Sequence, residues 1–287
     1  MSTLGGHMTE LFRAAAPTAT SIADLGPLRD LPGTWMGSGF SLVELPARNG
    51  DPFRLKFTAT RETVTFTAIG SPIPNRGSAQ DDIIFRGVHY LQHISDAETN
   101  EAVHVETGMW LFVPATTQPA AGPTVVRMAT IPHGDAFMAQ GAVLPDIPGA
   151  PTIPALSSVP TGFTFGGGYF PPPNTKLPAG IPEEALQDPS VLLTAALKEQ
   201  TVVNTTTLDV RTGDGDIRNI GFVSANADAT TLHSIFWLET LQGPDQSELL
   251  QLQYSQQSML RFPAGPNPDP SKPIDWPHLQ VATLLKQ

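Results

Sequence analysis

Apolar and polar residues alternate with a period of two along most of this chain. In "FRLKFTATRETVTFTAIG" the alternation is carried by Thr, Val and Phe, as a half-buried strand or a hairpin pair requires. The segments "DDIIFRGVHYLQHISD", "EAVHVETGMWLFVPA", "PTVVRMATIPHG" and "DAFMAQGAV" follow at short spacing, separated by turn-formers such as "DAETNE" and "TTQPAAGP". Beyond residue 200, "TVVNTTTLDVRTGDGDIRNIGFVSAN", "TLHSIFWLETLQ", "ELLQLQYSQQSMLRF" and "HLQVATLLK" continue the pattern. About ten turn-linked strands predict an all-β fold, either a closed antiparallel up-and-down barrel or a sandwich.

One helix interrupts the strands. Asp188 reads as its N-cap and Pro189 as its first residue, ahead of the amphipathic "SVLLTAALKEQ". A short lid or plug packed on the barrel is predicted. Of the 29 prolines, ten lie between Pro145 and Pro182 and six between Pro263 and Pro277, so these two stretches read as long loops laid over the scaffold, because proline cannot donate to a central ladder. The expected organisation is an N-terminal extension over residues 1–26, partly disordered, and a single barrel domain over 27–287 with an insert at about 142–200.

Composition narrows the function. A formal charge of −11 with 16 Lys and Arg repels polyanions at long range, which argues against nucleic acid and acidic membranes as partners. The absence of cysteine excludes disulfides, thiolate metal sites and a cysteine nucleophile, leaving His, carboxylate or Met for any metal. No basic segment precedes a long apolar run and no stretch approaches membrane-spanning length, so a soluble, cytoplasmic protein is expected.

Most motif-like stretches have plain structural readings. The three glycines Gly166, Gly167 and Gly168 in "FGGGYF" lack the Lys-Ser/Thr of a phosphate loop and read as a turn. "GDGD" at 213–216 lacks EF-hand spacing and reads as a hairpin turn. His89 and His93 are four apart in a β context, roughly 13 Å along one strand face, too far for a joint metal site. His133 and His233 read as loop or surface residues. His104 alternates with Glu106 and so shares a strand face with a carboxylate. His278 shares a face with Gln280, Ala282 and Leu284, while Leu279, Val281, Thr283 and Leu285 form a second, nearly all-apolar face. Periodicity alone turns that second face inward and His278 outward.

Three segments in order change this weighting. "LPGTWMGSGF", with Gly33, Thr34, Trp35, Gly37 and Gly39, opens the ordered chain, "HVETGMW" follows midway, and "PHLQVATLLK" closes it. The chain thereby resembles the nitrobindin family, whose members begin with a GTWxGxG-type strand, carry an H-[AV]-E-[ST]-G strand and finish on a PHL or QHL segment. The resemblance covers roughly residues 27–141 and 201–287 and leaves out the Pro-rich and helical insert and the loop from Pro263 to Trp276, so the chain reads as an enlarged, divergent member. It implies a ten-stranded barrel holding haem b, with His278 as iron ligand and His104 on the pocket wall. It also implies binding of nitric oxide, peroxynitrite or peroxide at an open iron position, with peroxynitrite isomerase or peroxidase-like activity.

On that basis the expected cofactor-binding residues are His278, His104, Thr34, Trp35, Met109 and Met128, with His278 as the metal ligand. Met36, Phe40, Phe112, Phe137 and Met138 are further candidates for the lining, and Arg86 and Arg127 for propionate partners. An inward His278 would leave Leu279, Val281 and Leu285 outward, needing cover from the short helix, the insert or a second copy in a homodimer through the last strand. Two readings compete with haem: a calycin carrying a fatty acid or other apolar molecule, and a cofactor-free lipocalin-fold enzyme using His104 and Glu106 as an acid–base pair.

Overall fold

The computed structural model describes residues 22–46, 53–162, 176–262 and 273–287. Ten long strands, β1 (Gly33–Leu45), β2 (Arg54–Ala68), β3 (Ile83–Asp96), β4 (Ala102–Val113), β5 (Thr124–Ile131), β6 (Asp135–Ala142), β7 (Val202–Arg211), β8 (Asp228–Gln242), β9 (Glu248–Arg261) and β10 (Asp275–Lys286), pair antiparallel in chain order. Closure comes from β1 and β10, paired from Trp35↔Lys286 to Val43↔His278. The fold is a closed ten-stranded antiparallel barrel, the all-β calycin-like class rather than a sandwich.

The thinnest seam lies between β6 and β7. Arg211 pairs with Gln140 and Val143 bridges Leu208. The chain then bulges outward and rejoins β6 as a short strand, Ile217–Asn219, with Ile217 opposite Phe137. "GDGD" is thus a bulge inside one interrupted strand, not a hairpin turn, and Asp216 holds it by accepting the Gly213 N–H at 2.7 Å. The residues read as strand beyond it include a second helix, α2 (Gly221–Asn226). Six residues are too few for a helical period to stand out from the strand pattern.

The predicted helix is α1 (Val191–Leu197), which starts two residues later than expected, with Ser190 rather than Asp188 at the N-cap. Asp188 supports its start, its Oδ1 accepting the backbone N–H of Ser190 at 3.0 Å and that of Leu156 at 2.9 Å, so one carboxylate ties the helix to the insert's other arm. The insert lies on the outer face of β1, β8 and β10. Phe40, Leu42, Ile235, Trp237, Leu279 and Val281 are buried there against Leu156, Ala185 and Leu193. Leu279 and Val281 are each about 1% exposed, which stabilises by roughly 1.5–3 kcal/mol per side chain. The cover over the last strand therefore comes from this chain's own insert, and Leu285, beyond it, is exposed.

Inside, one half of the barrel is filled. Trp35, Phe66, Trp110, Phe236, Leu252 and Leu284 pack together, and Leu25, Leu28 and Leu31 close that end from below, fully buried. The Trp35 indole donates to the Leu31 carbonyl at 2.8 Å, and Lys286 Nζ donates to the Asp30 carbonyl at 2.7 Å while lying over the Trp35 ring. Residues around Leu25, read from sequence as extension, belong to this plug.

Candidate functional site

The other half of the barrel is hollow. On β9 and β10 inward positions next to the plug are large and apolar and those that follow are polar: Leu252 gives way to Gln256 and Ser258 on β9, and Leu284 to Gln280 and His278 on β10. The space left is a cavity of about 300 Å³, walled by Val43, Ile94, His104, His133, Phe137 and His278 among others. Its size is at the lower end for small-molecule sites.

Between plug and cavity lies a layer of buried polar groups. Arg127, 1% exposed, donates from Nη2 to Glu106 Oε1 at 2.7 Å, from Nε to the Tyr90 hydroxyl at 3.0 Å, and from Nη1 to Ser234 Oγ at 2.9 Å and Gln256 Oε1 at 2.6 Å. The Tyr90 hydroxyl donates to Glu106, and the rings of Tyr90, Trp110, Phe137 and Phe236 surround the guanidinium at 5.1–5.8 Å. Gly108, opposite Tyr90 in the ladder, makes room for that ring, since a Cβ there would stand 2.9 Å from it. Beside this group, Glu62 accepts from Gln92 Nε2 at 2.7 Å and from the Tyr254 hydroxyl at 2.6 Å.

The two carboxyls titrate oppositely. Burial alone would raise both. At Glu106 the adjoining Arg127 overcomes burial, helped by hydrogen bonds to His104 and Tyr90, and the group is held at about 2. At Glu62 burial prevails over the hydrogen bonds from Tyr254 and Gln92 and lifts it to about 7. The layer thus contains one fixed carboxylate and one carboxyl that retains its proton below neutrality.

Three histidines front the cavity. His104 Nε2 is 3.3 Å from Glu106 Oε2, and its ring meets that of His133 edge-on at 5.7 Å between centroids. His278 faces inward, opposite Val43 and Ser258, with Phe262 packed 6.4 Å away. Burial lowers its pKa to about 4, so it is neutral at pH 7, and its Nδ1 is enclosed with no hydrogen-bond partner among the described residues. Trp276, just before it, is fully buried with Ile274 against Phe53, Leu55 and Phe262.

The cavity brings together His278 and His104 but not the other four residues expected with them. Trp35 is in the plug at the far end, and Thr34 faces outward, 3.2 Å from Thr65. Met109 and Met128 line a separate groove of about 600 Å³ on the outer wall, with Met138 and His89. Of the further lining candidates only Phe137 lines the cavity; Met36 is exposed and Phe40 lies under the insert. Arg86 pairs with Asp24 at 3.5 Å, and Arg127 is sealed in the polar layer, so neither is placed for a propionate. His133, read as a loop or surface residue, is an exposed turn residue after Pro132 that also borders the cavity, and it has no periodic partner to reveal that facing. His233 stays outside, 2.8 Å from Asp209. Gly166, Gly167 and Gly168 lie outside the described residues.

No protein-family model matches the chain, and no curated protein matches it. Among solved structures, the crystal structure of Rv2717c from M. tuberculosis is similar at a TM-score of 0.44 and 16% identity, over 96% of this chain and 99% of that one. That likeness is loose, and the barrel assignment rests on the strand pairing itself. The nitrobindin resemblance rests on the three motifs alone. Among the described residues no helix is long and apolar enough to cross a membrane, and no group of three or more His, Asp or Glu is placed to hold a metal ion.

Proposed function

We propose that the barrel binds a small, largely apolar molecule in the cavity beside His278, and that haem b with His278 as its protein ligand is the specific case to test first. The observation that carries the reading is the neutral imidazole of His278 in a mostly apolar cavity, with a ring nitrogen enclosed and lacking a hydrogen-bond partner among the described residues. An iron held in a porphyrin needs a single protein ligand, so the lack of a three-residue metal cluster does not bear on it. Bound haem, held by His278, would supply an iron able to bind nitric oxide, peroxynitrite or peroxide.

The chain's own residues would do three things. His278 stays deprotonated because its surroundings are dry, Phe262 and Val43 restrict its ring, and Ile94, Val103 and Phe137 keep water from the cavity wall. One observation favours a haem-free ligand instead: no Lys or Arg lines the cavity among the described residues, so carboxylates of haem would find no cation there. An apolar molecule without a carboxylate is then the occupant, since a fatty acid's carboxylate would meet the same lack.

The visible spectrum of the purified protein, before and after adding hemin, separates the two. Haem binding by His278 gives a Soret band that His278→Ala loses or shifts strongly. Absence of uptake by the unmodified protein, together with a stoichiometric apolar compound in an organic extract, would replace the haem reading with the second.

A further inference from the structure

His104 is anchored on one side only. Its Nε2 faces Glu106, and because Arg127 keeps that carboxyl ionised, Nε2 must carry the hydrogen. In the neutral imidazole Nδ1 then carries the lone pair; it makes no hydrogen bond among the described residues and is not one of the enclosed atoms, in a side chain that lines the cavity. The same guanidinium sets a second group. Arginine can only donate, so the Gln256 oxygen faces Arg127, and the Gln256 amide N–H is turned away from it, in another residue of the cavity lining. One buried cation therefore orients a hydrogen-bond acceptor and a hydrogen-bond donor on the walls of one apolar cavity.

We propose that this cavity transfers protons: His104 is a general base, Gln256 a hydrogen-bond donor to oxygen, and the substrate class a small apolar molecule with a C–H next to a carbonyl. The proposal rests on the small-molecule reading of the cavity and does not require haem. In the step, the C–H proton moves to His104 Nδ1, and the bonding pair forms the C=C of an enolate whose negative oxygen accepts from Gln256. The imidazolium is stabilised beside Glu106, and where a C=C adjoins the deprotonated carbon, returning the proton to the far end of the resulting dienolate completes an isomerisation. Glu106 and Arg127 are positioning residues. Among the described residues, the titratable groups around His104 are Glu106 on β4, Arg127 on β5, His133 in the β5–β6 turn, Asp135 on β6 and Glu62 on β2, and of these Glu106 alone hydrogen-bonds it.

The test uses 5-nitrobenzisoxazole with the full chain. A base that removes its ring C–H turns that bonding pair into a nitrile while the N–O bond breaks, releasing a coloured nitrophenolate. His104→Gln is expected to lower the rate by on the order of 100-fold, and Gln256→Leu by about tenfold, while His89→Gln, on the outer wall, leaves it unchanged. Nitrogen-correlated NMR should show His104 in the Nε2–H tautomer, and Glu106→Gln should mix the tautomers and shift the pH profile. Equal rates in the unmodified chain and His104→Gln, or an Nδ1–H tautomer, would overturn the base assignment. A probe that moves none of the ring signals of His104, His133 or His278 would instead overturn the small-molecule reading beneath it.

Discussion

Trp35 and His278 stand on paired strands near opposite ends of one barrel, eight positions and about 26 Å apart along β1. Around Trp35 the interior is filled by aromatic and leucine side chains and sealed by Leu25, Leu28 and Leu31. Around His278 the same ten strands enclose a cavity, on a layer of buried charges and amides. The closed half is held by volume, where an atom removed leaves a void. The open half is held by electrostatics, where a group removed strands its partner in a dry place. The two halves should therefore fail in different ways.

The largest expected effect is in the open half. Arg127→Met keeps most of the side chain's bulk but leaves Glu106, fully buried, without its cation, and should cost about 3–5 kcal/mol at neutral pH. Urea unfolding measures this. Adding Glu106→Gln should recover much of the loss, because the stranded charge, not the missing contact, dominates it. A loss that the second change does not recover would mean that Arg127 acts mainly as packing against its four aromatic neighbours, and the contrast between the halves would collapse.

A matched pair of leucines on β9 sharpens the contrast. Leu252 is fully buried in the plug and Leu260 lines the cavity. Leu252→Ala should destabilise by about 2–5 kcal/mol, with the void left behind as part of the cost. Leu260→Ala enlarges an existing space and should cost about 1 kcal/mol or less. The same two variants should reverse their order in ligand affinity, with Leu260→Ala the one that changes it.

The strands and their order were legible because most have one buried and one wetted face, so alternation survives in "TATRETVTF" and its neighbours. The last strand was not legible in this way. Both faces of β10 are buried, Ala282 and Leu284 in the barrel and Leu279 and Val281 under the insert, so period-two contrast vanishes and cannot tell which side His278 takes. Only the terminal PHL motif pointed inward. Thr34, Trp35, Met109 and Met128 were drawn into the site by motif position and by residue type, neither of which encodes depth along a barrel or facing on its wall. Arg127 carried a usable signal: in "TVVRMATI" it shares a face with Val125 and Ala129, both buried, so an inward cation in need of a carboxylate was readable from parity. Its pairing to Glu106 on the neighbouring strand was not, because register is set by turns and bulges.

The effect most specific to the polar layer is a change in pH dependence rather than in overall stability. Glu62 is raised by burial to about 7 in the folded chain, above the ordinary 4.5, so between those values the native state holds a proton that the unfolded chain has released. Its contribution is fully present below pH 4.5 and is lost as the pH rises through about 7, at about 1.4 kcal/mol per pH unit and at most about 3 kcal/mol in all. Glu106, held at about 2, has the opposite sign: its contribution is present above pH 4.5 and is lost as the pH falls toward 2. Glu62→Gln mimics the protonated form that Gln92 and Tyr254 already accommodate, so it should flatten stability between pH 4.5 and 7 while leaving the acid limb unchanged. His278, kept neutral down to about 4, and Glu239, raised by burial to about 7 beneath the insert, keep their own slopes in both proteins and cancel in the difference. Chemical denaturation across that range, unmodified chain against variant, isolates Glu62. A difference that does not change with pH would place Glu62's proton on neither side of folding and would reduce the polar layer to the single Arg127–Glu106 pair.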